Sequence, residues 1–264
     1  MTSAKQSDAP LYLDIDGPIA RLVLNRAAKR NAITQAMWEA IPGLLDRAAT
    51  DTAVRVVILE SSTDTAFSAG ADIAEFKDIA TDPARREANR IAVREAQRRL
   101  ARFPKATIAR IAGPCVGGGC GLALACDLRF AEPGARLGIT PARLGLVYSL
   151  QDTKQLVDLV GPAQAKSILF TGRLVAADEA LRMGLVNEVW PADELAGRTT
   201  AFAEQIAAVS QHSVAGIKRI VRMILDGVAD DTDETAAMFR DAWAGADYAE
   251  GVAAFLEKRK PQFR

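Results

Sequence analysis

Hydrophobic and polar residues alternate near the start of the chain and then recur at helical spacing. The segment LYLDIDGPIARLVLN, residues 11–25, alternates around Asp16-Gly17 and predicts two antiparallel strands joined by a tight turn. After Asn31, apolar residues recur every three or four positions and predict a helix, although Pro42 weakens it. The run VRVVILE, residues 54–60, then predicts a buried strand.

Strand and helix patterns continue to alternate through most of the chain. An arginine-rich helix with a solvated face is predicted over 83–102, followed by a strand over 106–113. The last strand pattern is LVNEV, residues 185–189, and only helical patterns follow it. This order predicts an α/β core over residues 1–195 and a C-terminal α-helical region over 196–264.

Composition excludes several classes of partner. Lys plus Arg and Asp plus Glu both number 33, so no overall charge favours nucleic acid or a membrane surface. No apolar run approaches the ~20 residues that span a bilayer, and the first ten residues have no apolar core, so we expect a cytoplasmic protein.

Cys115, Cys120 and Cys126 lack C-x2-C spacing and predict buried free thiols rather than a metal site.

A glycine cluster, Gly117 to Gly119 and Gly121, follows the predicted strand at 106–113 and precedes an apolar helix pattern. The P-loop pattern is absent, and Leu122 occupies the last position of G-x-G-x-x-G, which argues against a nucleotide phosphate. A strand, a glycine turn and a helix can direct backbone N–H groups at an oxyanion, and tight helix–strand packing is the structural alternative. The loop SAGAD, residues 68–72, offers a second donor.

At this point the sequence resembles the crotonase superfamily, the enoyl-CoA hydratase/isomerase family, along its whole length. The resemblance implies a spiral of β-β-α turns, a C-terminal helical region that forms a homotrimer or a hexamer of two trimers, an acyl-CoA thioester substrate and no permanently bound cofactor. Five segments carry it: LNRAAKRNAIT (24–34), AFSAGADI (66–73), residues 109–127, LFTGRLVAADEALRMGLVNEVW (169–190) and AAFLEKRKPQF (253–263).

The resemblance also implies roles for individual residues. The backbone N–H groups of Ala71 and Gly118 would hold the thioester oxygen as it becomes an enolate. Arg26 and Lys29 would lie near the phosphates of coenzyme A, and the backbone of Ala69, Ala71, Asp72 and Ile73 would lie near its adenine. Phe255 and Lys258, in the C-terminal tail, would reach the coenzyme A bound to a neighbouring subunit.

Two positions depart from the pattern of the hydratases. Those enzymes use one glutamate directly after Gly-Gly-Gly-Cys and another in a later G-x-P-E-x-x-x-G loop, where this chain has Gly121 and Pro141. General acid and base groups each contribute about 10²–10⁴-fold, so fast hydration is not expected here. The nominal class is still an enoyl-CoA hydratase/isomerase-like enzyme.

The loop after Pro141 offers other groups. Tyr148 has a hydroxyl that can donate a proton, Arg143 can pair with a carboxylate, and Asp152 is a further candidate. Ser149 lies near the position of a nucleophilic aspartate in the family's dehalogenases, but no base is evident beside it. Packing of Tyr148 in an acyl pocket and an interface ion pair of Arg143 are the structural alternatives.

Two other functions are therefore kept open. The pattern TP-x-x-LG-x-x-Y-x-L resembles the methylmalonyl-CoA decarboxylase branch of the family, and loss of CO2 forms an enolate without a general base. That branch has a histidine where this chain has Ala71. A non-catalytic acyl-CoA-binding protein is the alternative from a different class.

Overall fold

The described chain, residues 7–263 of a computed structural model, contains two β-sheets. Residues 1–6 and Arg264 lie outside it. Most of the first ten residues, from which a cytoplasmic location is partly expected, are therefore outside the described residues. The strands are β1 (Leu11–Asp16), β2 (Ile19–Leu24), β3 (Val56–Ser61), β4 (Ala106–Ile111), β5 (Pro114–Val116), β6 (Leu128–Ala131), β7 (Arg136–Gly138), β8 (Leu174–Ala176) and β9 (Glu188–Val189).

The larger sheet has the strand order β1-β2-β3-β4-β6-β9. β1 and β2 pair antiparallel around Gly17, whose φ of 56° suits a tight turn, so the predicted hairpin is confirmed. The other neighbours pair in parallel. Parallel strands need long crossover connections, and helices supply most of them here.

The smaller sheet has the order β5-β7-β8, with three residues in each strand. Strands of three residues are too short to show the alternation that predicts a longer strand, and the sequence patterns predict none of these three. The sheet fixes the start of the glycine cluster, because the carbonyl of Gly138 accepts a hydrogen bond from the N–H of Gly117 at 2.8 Å.

Helices cover the sheets, and every strand or helix of the described chain beyond Val189 is a helix. Gly161, with φ of 72°, interrupts the long helix α5. The helices are α1 (Gln35–Thr50), α2 (Phe76–Thr81), α3 (Pro83–Ala101), α4 (Gly118–Ala125), α5 (Leu150–Thr171), α6 (Ala177–Arg182), α7 (Ala192–Ala207), α8 (Gln211–Leu225), α9 (Asp233–Ala244) and α10 (Ala246–Leu256).

Alternation along β3 explains why the core lies on both faces of the larger sheet. Val57 and Leu59 pack in one apolar cluster with residues of α1, α3 and α4. Val56 and Ile58 point to the opposite face and pack in a second cluster with Leu195 and other residues of α7. A strand covered on both faces reads as a continuous apolar run, as this one does.

The arginine-rich helix α3 presents most of its charges to solvent. Arg90 pairs with Glu87 at 2.6 Å and Arg98 with Glu95 at 2.8 Å, each three residues apart on the helix. Exposed pairs of this kind contribute about 0–1 kcal/mol each, so they solubilise the helix more than they stabilise it. The predicted solvated face is confirmed.

Asn31 holds the chain between β2 and α1 against the segment after β3. It is fully buried with φ of 53°, a conformation that asparagine tolerates better than most residues. Its Nδ2 donates hydrogen bonds to Ser61 Oγ at 2.7 Å and to the carbonyl of Ala66 at 2.8 Å, and its Oδ1 accepts one from the N–H of Arg26. This network fixes the loop that leads to Ala71.

We predict that Asn31→Ala lowers the free energy of unfolding by about 2–3 kcal/mol, because buried partners lose their hydrogen bonds. Urea denaturation at neutral pH measures the change. Asn89→Ala is the control, since the half-buried Asn89 amide makes one hydrogen bond, to Gln35 Oε1, and its loss should change stability by less than about 1 kcal/mol. Equal losses in the two variants would contradict the role given to Asn31.

Candidate active site

The loop after β3 runs beside the strand that leads into the glycine cluster. Ser68 pairs in parallel with Cys115, and the N–H of Val116 donates a hydrogen bond to the carbonyl of Ser68 at 2.9 Å. On the other side, Ala71 pairs with Ile33, whose N–H donates to the carbonyl of Gly70 at 2.7 Å. The two segments that the sequence singles out, 68–72 and 117–121, are therefore neighbours.

A Cβ on either of two glycines would crowd its neighbours where these segments touch. A Cβ at Gly70, whose φ is 97°, would lie 3.0 Å from the carbonyl oxygen of Val116 and 3.6 Å from the backbone nitrogen of Gly118. A Cβ at Gly118 would lie 2.7 Å from Cζ2 of the buried Trp38 ring. Close packing thus explains part of the glycine cluster, as the structural alternative predicted, and it also sets the spacing of the backbone donors.

The backbone N–H groups of Ala71, Gly118, Gly119 and Cys120 have no acceptor within residues 7–263, and of these residues Gly119 and Cys120 are buried. Gly118 is the first residue of α4, so its N–H has no intrahelical partner and lies at the positive end of the helix. Ala71 and Gly118 are only partly buried and can be reached by a ligand. Ala71 and Gly118 therefore offer unpaired, partly exposed N–H donors on two neighbouring segments.

Gly121 lies one turn further along α4 and is buried. A Cβ there would overlap Nε2 of Gln97 and lie 3.3 Å from the hydroxyl of Tyr148. Gln97 comes from α3 and is only 1% exposed. Sequence reasoning missed it because the arginines around it mark α3 as a surface helix, and a single glutamine on the buried face gives no pattern.

Tyr148 and Asp152 form the other side of this region. The Tyr148 hydroxyl is buried and, among the described residues, has no hydrogen-bond partner. Burial, together with the nearby Asp152 carboxylate, holds the pKa of Tyr148 well above its usual value. Burial also raises the pKa of Asp152, although a hydrogen bond donated by Ser149 Oγ to Asp152 Oδ2 at 2.8 Å opposes that shift.

Pro141 and Arg143 lie apart from this buried region, on the short 3₁₀ segment Pro141–Leu144. Arg143 is exposed and packs over the end of α5, where its Cγ would be 3.0 Å from a Cβ at Gly172. Its guanidinium makes no ion pair with the residues described. The structure brings Tyr148, but not the Arg143 side chain, to Gly121.

The residues expected to bind coenzyme A fall into two groups. Arg26 and Asp72 are ion-paired, with Arg26 Nη1 2.9 Å from Asp72 Oδ2, and Lys29, Ala69 and Ile73 are exposed around them. Phe255 and Lys258 belong to the C-terminal end, and Phe255 is 83% exposed beside a groove of about 830 Å³ on α9 and α10. Within the described residues, no cluster of three potential metal ligands occurs, and no helix has the length and hydropathy of a membrane span.

The Arg26–Asp72 pair predicts a pH-dependent contribution to stability. The hydrogen bond from Arg26 lowers the pKa of Asp72, so the stabilisation is complete above the unfolded-state pKa and is lost as pH falls through the folded-state pKa. We expect Arg26→Met to lower the free energy of unfolding by about 1–2 kcal/mol at neutral pH and by less below about pH 4.

Urea titrations at several pH values measure this difference. Arg85→Met is the matched control, because Arg85 and its partner Asp78 are more than 60% exposed and such pairs contribute about 0–1 kcal/mol. A loss for Arg26→Met that is independent of pH would show that the arginine acts by packing alone.

Comparison with known proteins identifies the family. The model of the Enoyl-CoA hydratase/isomerase family matches residues 14–264. A crystal structure of a protein assigned to that family from Hyphomonas neptunium superimposes with a TM-score of 0.94 and 41% identity, covering 97% of this chain and 98% of that one. The crotonase-type α/β fold is thereby confirmed.

Two proteins that are similar in sequence support the same family assignment. A protein assigned as an enoyl-CoA hydratase in Thermus thermophilus is 37% identical over 94% of this chain and 98% of its own length. The crotonyl-CoA hydratase of Syntrophomonas wolfei is 34% identical over 96% of this chain and 97% of its own length. With the family pattern, the fold and near full-length relatives in agreement, this chain belongs to the enoyl-CoA hydratase/isomerase family.

Proposed function

We propose that this protein is an acyl-CoA enzyme that works through a thioester enolate held by the N–H groups of Ala71 and Gly118. The observation that carries the proposal is the pair of unpaired, accessible N–H groups on two abutting segments. Family membership and the names of the relatives support a coenzyme A thioester as the substrate.

The two donors address the difficult part of enolate chemistry. When the α-carbon of a thioester loses a substituent, negative charge collects on the thioester oxygen, and fixed N–H donors stabilise it without reorganising. Loss of one such donor typically lowers turnover about 10²–10³-fold. The N-terminal end of α4 adds partial positive charge at Gly118.

For binding, we propose that the coenzyme A moiety lies along residues 69–73, with Arg26 and Lys29 near its phosphates. The exposure of this surface supports the assignment. We further propose that the chain forms a homotrimer or a hexamer, and that Phe255 and Lys258 reach the site of another copy. Their position on the exposed C-terminal end is compatible with that role.

Fast hydration is not part of the proposal. Hydration needs one group to activate water and one to protonate the α-carbon, and neither Gly121 nor Pro141 can do either. The place beside Gly121 is filled instead by Gln97 and Tyr148. A hydratase name on a relative therefore supports the substrate class more strongly than it supports the reaction.

Decarboxylation is the second candidate, favoured by the Tyr148 hydroxyl beside Gly121. In a malonyl-type thioester, the bond between the α-carbon and the carboxylate breaks, CO2 leaves, and the electron pair forms the enolate. Tyr148 then gives its proton to the α-carbon. Arg143, which the sequence offers as a partner for the substrate carboxylate, packs at Gly172 and is not part of this step.

Two assays separate these reactions. Hydration of crotonyl-CoA is followed by loss of the conjugated-thioester absorbance, and decarboxylation of malonyl-CoA by release of CO2. Turnover in either assay supports the enolate proposal and identifies the reaction. Tight binding of both thioesters without any turnover would instead indicate a non-catalytic acyl-CoA-binding protein and overturn the proposal.

We predict that Gly118→Pro lowers turnover about 10²–10³-fold, because proline has no N–H to donate. Proline is tolerated at the first position of a helix, so α4 can persist. Gly118→Ala is the matched control: it adds a Cβ against Trp38 but keeps the N–H, and it should lose much less activity.

Thermal unfolding and acyl-CoA binding show whether both variants are folded. If the alanine and proline variants lose the same activity, the cause is the contact with Trp38, and the assignment of the Gly118 N–H to the oxyanion is wrong.

A further inference from the structure

Gln97 reaches from α3 to the place beside Gly121. Its side chain is 1% exposed, whereas Arg94 and Arg98 of the same helix are exposed. A Cβ at Gly121 would overlap Gln97 Nε2 and lie 3.3 Å from Gln97 Cδ. The Gln97 amide therefore fills the volume that a side chain at position 121 would otherwise occupy.

Two polar side chains converge at this place without bonding to each other. The Tyr148 hydroxyl lies 3.3 Å from the position of a Gly121 Cβ, the same position that Gln97 Nε2 overlaps. Among residues 7–263, the buried Tyr148 hydroxyl and the buried Gln97 Oε1 have no hydrogen-bond partner. Buried polar groups in folded proteins are nearly always paired, so two unpaired groups around one point indicate a site for a polar group of a ligand.

This point lies close to the proposed oxyanion donor. Gly118 and Gly121 are three residues apart on α4, and such residues are neighbours on one face of a helix, with about 5–6 Å between their Cβ positions. An acyl chain whose thioester oxygen is held by the Gly118 N–H has its next two carbons within this spacing. Substituents on those two carbons are therefore the part of the substrate that meets Gln97 and Tyr148.

The two side chains define the kind of group that fits between them. The amide of Gln97 carries N–H donors and a carbonyl acceptor, and the Tyr148 hydroxyl can donate or accept. A hydroxyl group on the ligand donates a hydrogen bond to Gln97 Oε1 and accepts one from Tyr148, so it pairs both. An alkyl group pairs neither of them, and a carboxylate has no hydrogen to donate to Oε1.

We propose that Gln97 is a specificity-determining residue, and that its amide and the Tyr148 hydroxyl bind a hydroxyl group on one of the two acyl carbons next to the thioester. The substrate is then a hydroxyacyl-CoA thioester. This inference rests on the proposed acyl-CoA function, and it adds a contact to the acyl group that neither the backbone donors nor the coenzyme A surface supplies.

The size of the preference follows from the burial of the two groups. Both are buried before a ligand binds, so a ligand hydroxyl gains their hydrogen bonds without first removing them from water. A ligand without the hydroxyl leaves both groups unpaired. We therefore expect a preference of at least about tenfold for the hydroxylated acyl group.

Isothermal titration calorimetry measures this preference. Butyryl-CoA, 2-hydroxybutyryl-CoA and 3-hydroxybutyryl-CoA differ only in the hydroxyl and in the carbon that carries it. The wild-type chain should bind one of the two hydroxy thioesters at least about tenfold more tightly than butyryl-CoA, and the tighter of the two identifies the carbon.

Two glutamine variants test the residue. Gln97→Met removes the amide and keeps an unbranched side chain that adapts to the space, so all three thioesters should bind within about threefold of one another. Gln155→Met is the matched control, because Gln155 is also a buried glutamine whose Oε1 is unpaired among the described residues. It lines a separate cavity beside Leu124 and Leu128, so its variant should keep the wild-type preference.

Failure of the acyl-CoA function and failure of the hydroxyl site give different results. A wild-type chain that binds none of the three thioesters overturns the acyl-CoA function, and the hydroxyl site with it. Binding of butyryl-CoA as tight as that of both hydroxy thioesters, or a preference that Gln97→Met retains, overturns the hydroxyl site alone. If Gln97→Met does not unfold cooperatively on heating, Tyr148→Phe takes its place, and an unchanged preference in that variant overturns the hydroxyl site.

Discussion

The close backbone contact between the loop after β3 and the start of α4 is the constraint on which the rest of the site depends. Gly70 has φ of 97°, and a Cβ there would lie 3.0 Å from the carbonyl oxygen of Val116, so both its backbone conformation and its neighbour disfavour a side chain. Hydrogen bonds between Ser68 and the β5 segment keep the two backbones in register. Because this contact sets the distance between the segments that carry Ala71 and Gly118, a wider separation would remove the proposed oxyanion site even if every side chain were kept.

The surrounding fold supplies the rigidity that this contact needs. The smaller sheet fixes Gly117 from one side, and the buried network around Asn31 fixes the loop that carries Ala71 from the other. The Trp38 ring closes the space behind Gly118. Each element is buried in or against the main apolar core, so the donors are held by packing on several sides and do not depend on a mobile loop.

The sequence predicted those parts of the molecule that long patterns specify. The hairpin of β1 and β2, the buried strand β3 and the arginine-rich α3 each repeat a signal over several residues. The short strands β5, β7 and β8 were missed because three residues show no periodicity. Gln97 was missed because a contact between α3 and α4 depends on tertiary packing, and nothing in the local sequence marks it. Asp152 was recognised as a candidate, but its burial and its missing partner are visible only in three dimensions.

Family membership says more about the fold of this chain than about its reaction. Backbone N–H donors are a property of the fold, and no substitution short of proline removes them, so the proposed oxyanion site would persist wherever the two segments still touch. Proton-transfer groups are individual side chains, and a single substitution, such as glycine at position 121, removes one. A chain can therefore keep the fold, the thioester and the enolate of its family while the group that moves the proton changes. In this chain the space left at Gly121 is occupied by polar groups from α3 and from the segment before α5, so the chemistry of the site must be argued from those groups.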